Sequence, residues 1–442
     1  MSGVVANARP QPGELRLLRS VICPNCWNRF PPEQVLWISQ HEDLLGDHRL
    51  GESENQRFLP TRFTTDGSAL DARGFSCRDL ACPICHLPIA RDLLEFPTFF
   101  VSTFGSHSCG KSFFVSAMSH MLRQVLPLHF RITIQDTDPK NNQRLKRFET
   151  AVFDNARPQV PVSLGKLIEK TQERGGDLYH RVKFGNQVVD FPIPFLFTLQ
   201  PSSQHHADGT ADGMGRVVCL YDNAGESFQP GADAVDSPTT RHLGCSNLLL
   251  FLFDPTQDSR FLKLLRSVDP TRIPKNPVRR EQEPILQEAA RRVKQFGGLG
   301  PREKHRVPLL VVVTKFDCWS RLITGRSDKE PWRTVRFPNN GAASAQPVSA
   351  LECTTIQETS NQLREVLLRT CPEIVTAAEG FVEDVTYLPA SSVGWSATPV
   401  DGTDTEPGNY RIRPEDARPY WVTVPLIYGL LRSIPGLIPK VW

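Results

Sequence analysis

The chain of 442 residues lacks any run of about 20 uncharged apolar residues, so we expect no helical membrane span. Its N-terminal segment has no apolar signal core, which argues against secretion. The formal net charge is only +3, and no run of basic and aromatic residues suggests a nucleic-acid partner. A hydrophobic share of 39% and a charged share of 22% are typical of a soluble globular protein. We therefore expect a cytoplasmic protein.

Disulfide chemistry is a second expected absence, although the sequence has 11 cysteines. Several of them are scattered through apolar runs, as in proteins of a reducing compartment. Four others form two C-P-x-C pairs, and each pair presents two thiolates from one tight turn. Two such turns complete a tetrahedral Zn²⁺ site with no open position, which indicates a structural role. The predicted zinc ligands are Cys23, Cys26, Cys82 and Cys85.

Two other residues near these pairs are alternative ligands, Cys77 and His86. We prefer the four paired cysteines because the two turns share one design. A redox role for C-x-x-C needs one pair inside a thioredoxin-like βαβ unit, and nothing here indicates such a unit. Residues 1–95 are therefore predicted to be a zinc-ribbon module whose insertion at 27–81 has no assigned role. Residues 96–442 are predicted to be one nucleotide-binding domain.

The stretch FPTFFVSTFGSHSCGKS at 96–112 joins an apolar run to a helical pattern through a small polar turn. The turn matches the phosphate-binding pattern G-x-x-x-x-G-K-[ST] without a mismatch. Gly105 and Gly110 would let the backbone curl around a phosphate, and the helix that follows adds its positive end. Lys111 would bring its charge to the β- and γ-phosphates, and Ser112 would offer a hydroxyl to Mg²⁺. The predicted phosphate-loop residues are Gly105, Ser106, His107, Ser108, Cys109, Gly110, Lys111 and Ser112.

A second motif follows the apolar run 216–222, which reads as a buried strand that ends in Asp222. A carboxylate at that place orients Mg²⁺ through its water shell. The sequence D-x-x-G then places the backbone N–H of Gly225 near a γ-phosphate, where the segment can order with a triphosphate and relax after hydrolysis.

A third motif, Thr314-Lys-Phe-Asp317, follows the apolar run that starts at Val307. Asp317 can accept two hydrogen bonds from N1–H and the exocyclic amine of guanine, and adenine has no such pair of donors. The motif therefore predicts GTP rather than ATP, with the alkyl stem of Lys315 over the base. Thr314 replaces the commoner Asn. At the end of a last strand, a backbone N–H of Ala390 or Ser391 is expected to contact guanine O6.

The segments between the motifs include strand-like apolar runs and helical patterns. The apolar run 187–199 is predicted to be one strand, and Phe130–Gln135 is predicted to be another. Gly165–Arg174 is predicted to be a short helix. The stretch 200–215 is expected to be an exposed loop with its two histidines in solvent. The predicted insertions without an assigned role are 27–81, 200–215, 269–305 and 320–350.

The ordered set GSHSCGKS, DNAGE, TKFD and ASS resembles the Ras-like P-loop GTPases of the translation-factor-related class. The C-P-x-C pairs, the long spacings and a closing helix at 424–434 look like the bacterial double-GTPase families of conflict systems. The resemblance implies a three-layer αβα sheet, GTP and Mg²⁺ as ligands, and a switch that acts through partner proteins. It also implies catalytic roles for Lys111, Gly225 and Glu226, and a switch threonine on Mg²⁺ at Thr171.

Three departures from that family pattern lead us to expect slow hydrolysis. His107 and Ser108 are bulkier than the small residues of many related loops. Glu226 stands in place of the glutamine that positions the attacking water, and an anion is a poorer stabiliser of developing negative charge.

We therefore predict a GTPase switch or assembly factor that hydrolyses GTP slowly until a partner or a second protomer completes its site. The alternative is a pseudo-GTPase scaffold, in which the nucleotide is structural and the zinc ribbon binds a partner. A P-loop ATPase or kinase is a third hypothesis, which Asp317 disfavours. Homo-oligomerisation stays open.

Overall fold

The computed structural model describes residues 17–164, 179–207, 213–222, 240–269, 279–300, 302–323, 329–336, 347–394, 398–399 and 410–442. The chain divides into two compact units, Met1–Thr98 and Phe99–Trp442. Among the described residues, no helix combines the length and the apolar character needed to cross a bilayer.

The smaller unit is built from short antiparallel strands in its described residues. The largest of its sheets has four strands, in the order β10-β9-β3-β6. The segment 89–95 includes the end of strand β10 and a 3₁₀ turn at Arg91–Leu94. The strands are β1 (Val21–Ile22), β2 (Arg29–Phe30), β3 (Leu36–Ile38), β4 (Leu45–Asp47), β5 (Gly51–Asn55), β6 (Arg57–Phe58), β7 (Ala69–Leu70), β8 (Ser76–Cys77), β9 (Leu80–Ala81) and β10 (Pro88–Ile89).

The larger unit is organised around a seven-stranded sheet in the order β12-β16-β17-β11-β18-β19-β22. The remaining described strands are β11 (Thr98–Gly105), β12 (Ile132–Asp136), β13 (Val162–Ser163), β14 (Tyr179–Phe184), β15 (Gln187–Pro192), β16 (Phe195–Pro201), β17 (Arg216–Asp222), β18 (Leu248–Phe253), β19 (Leu309–Val313), β20 (Trp332–Arg336), β21 (Pro347–Glu352), β22 (Val385–Pro389), β23 (Thr398–Pro399), β24 (Tyr410–Ile412) and β25 (Lys440–Val441).

The α-helices of the described residues lie between these strands. Four of the seven strands in the sheet, β11, β18, β19 and β22, run parallel, whereas β16 is antiparallel to both of its neighbours. The sheet is therefore mixed. The helices are α1 (Lys111–Val125), α2 (Pro139–Val152), α3 (His242–Cys245), α4 (Ser259–Val268), α5 (Glu283–Gly297), α6 (Phe316–Trp319), α7 (Cys353–Thr370), α8 (Pro372–Phe381) and α9 (Val424–Ser433).

Helices cover both faces of the parallel strands, because alternate residues of a strand point to opposite sides. Leu250 of β18 packs in a core that includes residues of α1 and α9. Its neighbour Phe251 packs in a second core with residues of α4, α5, α7 and α8. Every residue of β18 and β19 is buried, as expected for parallel strands covered on both faces. The α/β prediction is confirmed at this level.

Several local predictions were wrong. The run 187–199 forms two strands, β15 and β16, because Pro192 and Pro194 interrupt it and proline has no N–H to donate. Phe130 was predicted to begin a strand, but it ends a π-helical turn, Leu126–Phe130, that follows α1. His205 is buried and its Nε2 lies 2.9 Å from the carbonyl oxygen of Leu437, so it is not in solvent. The helix predicted at Gly165–Arg174 lies outside the described residues.

Two adjacent leucines of α7 provide a matched test of this packing. Leu367 is fully buried in the second core, whereas Leu368 is 39% exposed. We expect Leu367→Ala to lower the free energy of unfolding by about 2–5 kcal/mol, because it leaves a cavity under the sheet. Leu368→Ala should change it by less than about 0.5 kcal/mol. Urea denaturation followed by circular dichroism measures both, and equal losses would contradict the assigned helix face.

Candidate functional site

Two short turns of the smaller unit repeat one backbone design. In the first, Trp27 N–H donates to the carbonyl of Cys23 at 2.9 Å; in the second, His86 N–H donates to Cys82 at 3.0 Å. Trp27 and His86 both have positive φ, 58° and 63°. The flanking strands also pair in the same register, β1 with β2 and β9 with β10. The shared design inferred from C-P-x-C is therefore present in the backbone.

The two turns bring four buried thiols together. The sulfur atoms of Cys23, Cys26, Cys82 and Cys85 all lie within 4.8 Å of one another. Two of the separations, Cys23 to Cys85 and Cys26 to Cys82, are 3.8 Å. A tetrahedral zinc site with Zn–S bonds of about 2.3 Å needs S–S distances of about 3.8 Å. The donor set thus fits Zn²⁺.

The surroundings of the thiols also fit a cation. Backbone N–H groups of Asn25 and Ile84 approach the sulfurs of Cys23 and Cys82 at 3.3 and 3.4 Å. Burial raises the pKa of the Cys23 thiol well above its ordinary value, so the thiolate of Cys23 is disfavoured without a nearby positive charge. Cys77 lies outside the group, with its sulfur 3.8 Å from Oδ2 of Asp71.

In the larger unit, the predicted phosphate loop connects β11 to α1 at the carboxyl edge of the parallel strands. A Cβ on Gly105 would lie 2.4 Å from the carbonyl oxygen of Leu252 on β18, so only glycine fits. Ser108 and Gly110 then take positive φ values of 61° and 94°, which turn the chain into the helix. The loop therefore has the tight curvature on which the motif depends.

Lys111 is buried and its ammonium group lies against the loop itself. Its Nζ donates to the carbonyl oxygens of Gly105 and Ser106 at 3.0 and 2.7 Å. These contacts hold a positive charge within the curve of the loop. Cys109 is fully buried, and burial raises the pKa of its thiol.

The first and second motifs meet at the start of α1. Ser112 Oγ donates to Oδ2 of Asp222 at 2.6 Å. Burial raises the pKa of the Asp222 carboxyl, against the opposing effects of Ser112, Lys111 and Arg144. Its other oxygen, Oδ1, is buried and has no hydrogen-bond partner within the described part of the chain. A hydroxyl beside a buried carboxylate oxygen is a donor set that fits Mg²⁺.

The third motif contacts the phosphate loop directly. Thr314 Oγ1 donates to the carbonyl of Cys109 at 3.1 Å. Lys315 has a positive φ of 54°, and its Nζ lies 2.5 Å from Oδ2 of Asp254, the residue that follows β18. The side chain of Lys315 stays about one-third exposed, at 36%.

Asp317 and Ser391 are joined through their side chains. Ser391 Oγ donates to Oδ1 of Asp317 at 2.5 Å. Desolvation raises the pKa of the Asp317 carboxyl, and the bond from Ser391 acts in the opposite direction. The backbone N–H groups of Ala390 and Ser391 donate to the carbonyls of Val313 and Tyr420. A contact of either N–H with guanine O6 stays a prediction.

Two glutamines that the sequence analysis did not identify hold the phosphate loop. Ser106 Oγ donates to Oε1 of Gln257 at 2.7 Å and lies 3.2 Å from Oε1 of Gln282. Gln257 Nε2 also donates to the carbonyl of His107, and Gln282 exchanges two hydrogen bonds with the backbone of Asp254. No local motif marks these positions, because each partner lies over a hundred residues from the loop.

A cation near the site was also missed. The guanidinium of Arg144 lies 4.7 Å from the ring centre of Phe195, which pairs with Leu220 two residues before Asp222.

Three residues with predicted roles at the nucleotide, Thr171, Gly225 and Glu226, lie outside the described residues.

No family model and no curated protein matches the chain. One similar solved structure is described as a crystal structure analysis of sup35 complexed with GDP, with a TM-score of 0.23 and 10% sequence identity. The match covers 68% of this chain and 39% of that one, so the chain spans about two fifths of that protein's length. A TM-score this low does not establish a shared fold.

Cysteine replacements test the four-thiol site. We expect Cys82→Ser to abolish tight zinc binding at the four-thiol site, because a serine hydroxyl is a much weaker ligand than a thiolate. Cys77→Ser is the matched control: this cysteine is also buried in the same unit but lies outside the group. It should keep the zinc of the four-thiol site in metal analysis of the purified protein. Equal zinc content in both variants would refute the ligand set.

Proposed function

We propose that the chain binds GTP with Mg²⁺ at the carboxyl edge of its parallel strands and hydrolyses it slowly. The observation that supports this most is the convergence of motifs that are far apart in sequence. The phosphate loop contacts both other motifs, through Ser112 to Asp222 and through Cys109 to Thr314. Asp317 contacts the segment that follows β22 through Ser391. Ligand sites in parallel α/β sheets lie at this edge.

In this proposal, the phosphates lie on the loop Gly105–Ser112. Its curved backbone and the N-terminus of α1 supply N–H donors and a positive potential. Lys111 already lies within the curve, so its charge can move from the loop carbonyls to the β- and γ-phosphates. The residues proposed for the loop are Gly105, Ser106, His107, Ser108, Cys109, Gly110, Lys111 and Ser112.

Ser112 and Asp222 would hold Mg²⁺, and Thr171 is proposed as the switch threonine that joins them. When bound, Mg²⁺ neutralises charge on the β- and γ-phosphates. The buried Oδ1 of Asp222 supports this assignment, since a buried carboxylate oxygen without a hydrogen-bond partner is costly.

Asp317 would select guanine. Each oxygen of an ionised carboxylate accepts more than one hydrogen bond, so Asp317 can keep its bond from Ser391 and still accept N1–H and the amine of the base. Ser391 would act as a positioning residue, and Lys315 would cover the base with its stem. Thr314 and Ala390 would shape the loop that holds Asp317.

Hydrolysis would depend on residues that follow Asp222. Gly225 is proposed to sense the γ-phosphate and Glu226 to hold the attacking water, with Lys111 as the third catalytic residue. Since Glu226 is an anion, we propose that a protein partner raises the rate by adding positive charge. The proposed role is therefore a switch or assembly factor.

Exchange of the base-reading carboxylate tests guanine recognition. We expect Asp317→Asn to weaken GTP binding by roughly 100-fold, because two charge-assisted hydrogen bonds are lost. The same variant should bind XTP better than the wild type does, since xanthine replaces the amine of guanine with a carbonyl that accepts from Asn. Competition with a fluorescent GTP analogue measures both affinities.

Asp384→Asn is the matched control, because Asp384 precedes β22 at the opposite end of the sheet from Ser391 and pairs with Arg432. It should leave GTP affinity unchanged. Full GTP affinity in Asp317→Asn would remove residue 317 from the base site.

Phosphate release from bound GTP in single-turnover assays distinguishes a slow GTPase from a scaffold that keeps its nucleotide intact.

A further inference from the structure

A group of three potential metal ligands in the smaller unit is separate from the four cysteines. Ligand atoms of Asp47, His48 and His86 all lie within 4.8 Å of one another. Asp47 and His86 are buried, at 6% and 7% exposure, whereas His48 is exposed. Neither the zinc site nor the proposed nucleotide site uses these three side chains.

The carboxylate of Asp47 is held in one orientation. Its Oδ1 accepts the backbone N–H groups of Arg49 and Leu50 at 2.8 and 3.0 Å, in the turn after β4. Its Oδ2 lies 2.7 Å from Nδ1 of His86. The backbone bonds thus leave one oxygen directed at the imidazole.

His86 is equally fixed. It is the positive-φ residue of the second cysteine turn, and its carbonyl accepts from Nε of Arg57 at 3.1 Å. The ring of His48 stands edge-on to it, with ring centres 4.6 Å apart and planes at 84°. The exposed ring therefore borders a buried imidazole and carboxylate at the surface of the unit.

We propose that these three residues form a second metal site. Two imidazoles and one carboxylate favour a borderline divalent transition ion such as Zn²⁺ or Co²⁺ over Ca²⁺ or Mg²⁺, which prefer oxygen ligands. The exposure of His48 leaves further coordination positions open to water. The site thus differs from the closed four-cysteine site in donor chemistry and in access.

The geometry needs a small adjustment. Tetrahedral ligands with metal bonds of about 2.0–2.1 Å are separated by about 3.4 Å. The 2.7 Å pair of Asp47 and His86 would therefore open by less than one ångström, with loss of any proton between the two atoms to solvent. His48 can approach by side-chain rotation, since it lies at the surface.

Metal stoichiometry of the full chain tests the proposal. After equilibration with Zn²⁺ and removal of free metal, the wild type should hold two equivalents. His48→Ala and Asp47→Asn should hold one, and Asn can still accept the two backbone N–H groups of the turn. His41→Ala is the matched control, a partly buried histidine of the same unit outside the group, and should hold two.

Co²⁺ substitution identifies which site each equivalent fills. The four-thiolate site should give intense charge-transfer absorption in every histidine variant, whereas the weaker bands of a nitrogen and oxygen site should be absent in His48→Ala. One equivalent in the wild type with intact thiolate absorption would overturn the proposal. Two equivalents in His48→Ala would overturn it as well, and this variant removes no buried contact that the fold requires.

Discussion

The close approach of Gly105 to the neighbouring strand is the constraint on which the larger unit's site depends. Its backbone lies so near the carbonyl of Leu252 that no side chain fits. The phosphate loop therefore starts against β18, in register with the ends of β19 and β22. This placement lets Cys109 meet Thr314, which begins the predicted base-reading motif. A larger residue at position 105 would move the loop away from β18 and from Thr314.

Buried polar contacts connect the two halves of the proposed site. Ser106 of the phosphate loop contacts Gln282, which binds the backbone of Asp254, and the Asp254 carboxylate pairs with Lys315. A buried network of this kind is stable only while each member keeps its partners. The loops proposed to bind the phosphates and the base are thus held by shared contacts rather than independently. In the smaller unit as well, segments far apart in the sequence form one group, because two turns of one design present four buried thiols.

The sequence was informative where function needs a fixed residue type at a fixed spacing. The curved loop at Gly105–Ser112, the four-cysteine group and the alternation of strands and helices could all be predicted in this way. Gln257 and Gln282 could not, because their roles arise only when distant segments pack. The contacts of Ser391 with Tyr420 and Asp317 could not be predicted for a similar reason, because they join segments far apart in the chain. His205 was placed in solvent because composition does not reveal a partner such as Leu437.

The central claim is that one edge of the sheet forms a guanine nucleotide site that uses Mg²⁺. Calorimetric titration of the unmodified full chain with GTP and with ATP tests it directly, each with Mg²⁺ and again with excess EDTA. The account predicts one GTP per chain, at least tenfold tighter than ATP, with weaker binding when Mg²⁺ is removed. Equal affinity for the two nucleotides, or no binding of GTP, would contradict it.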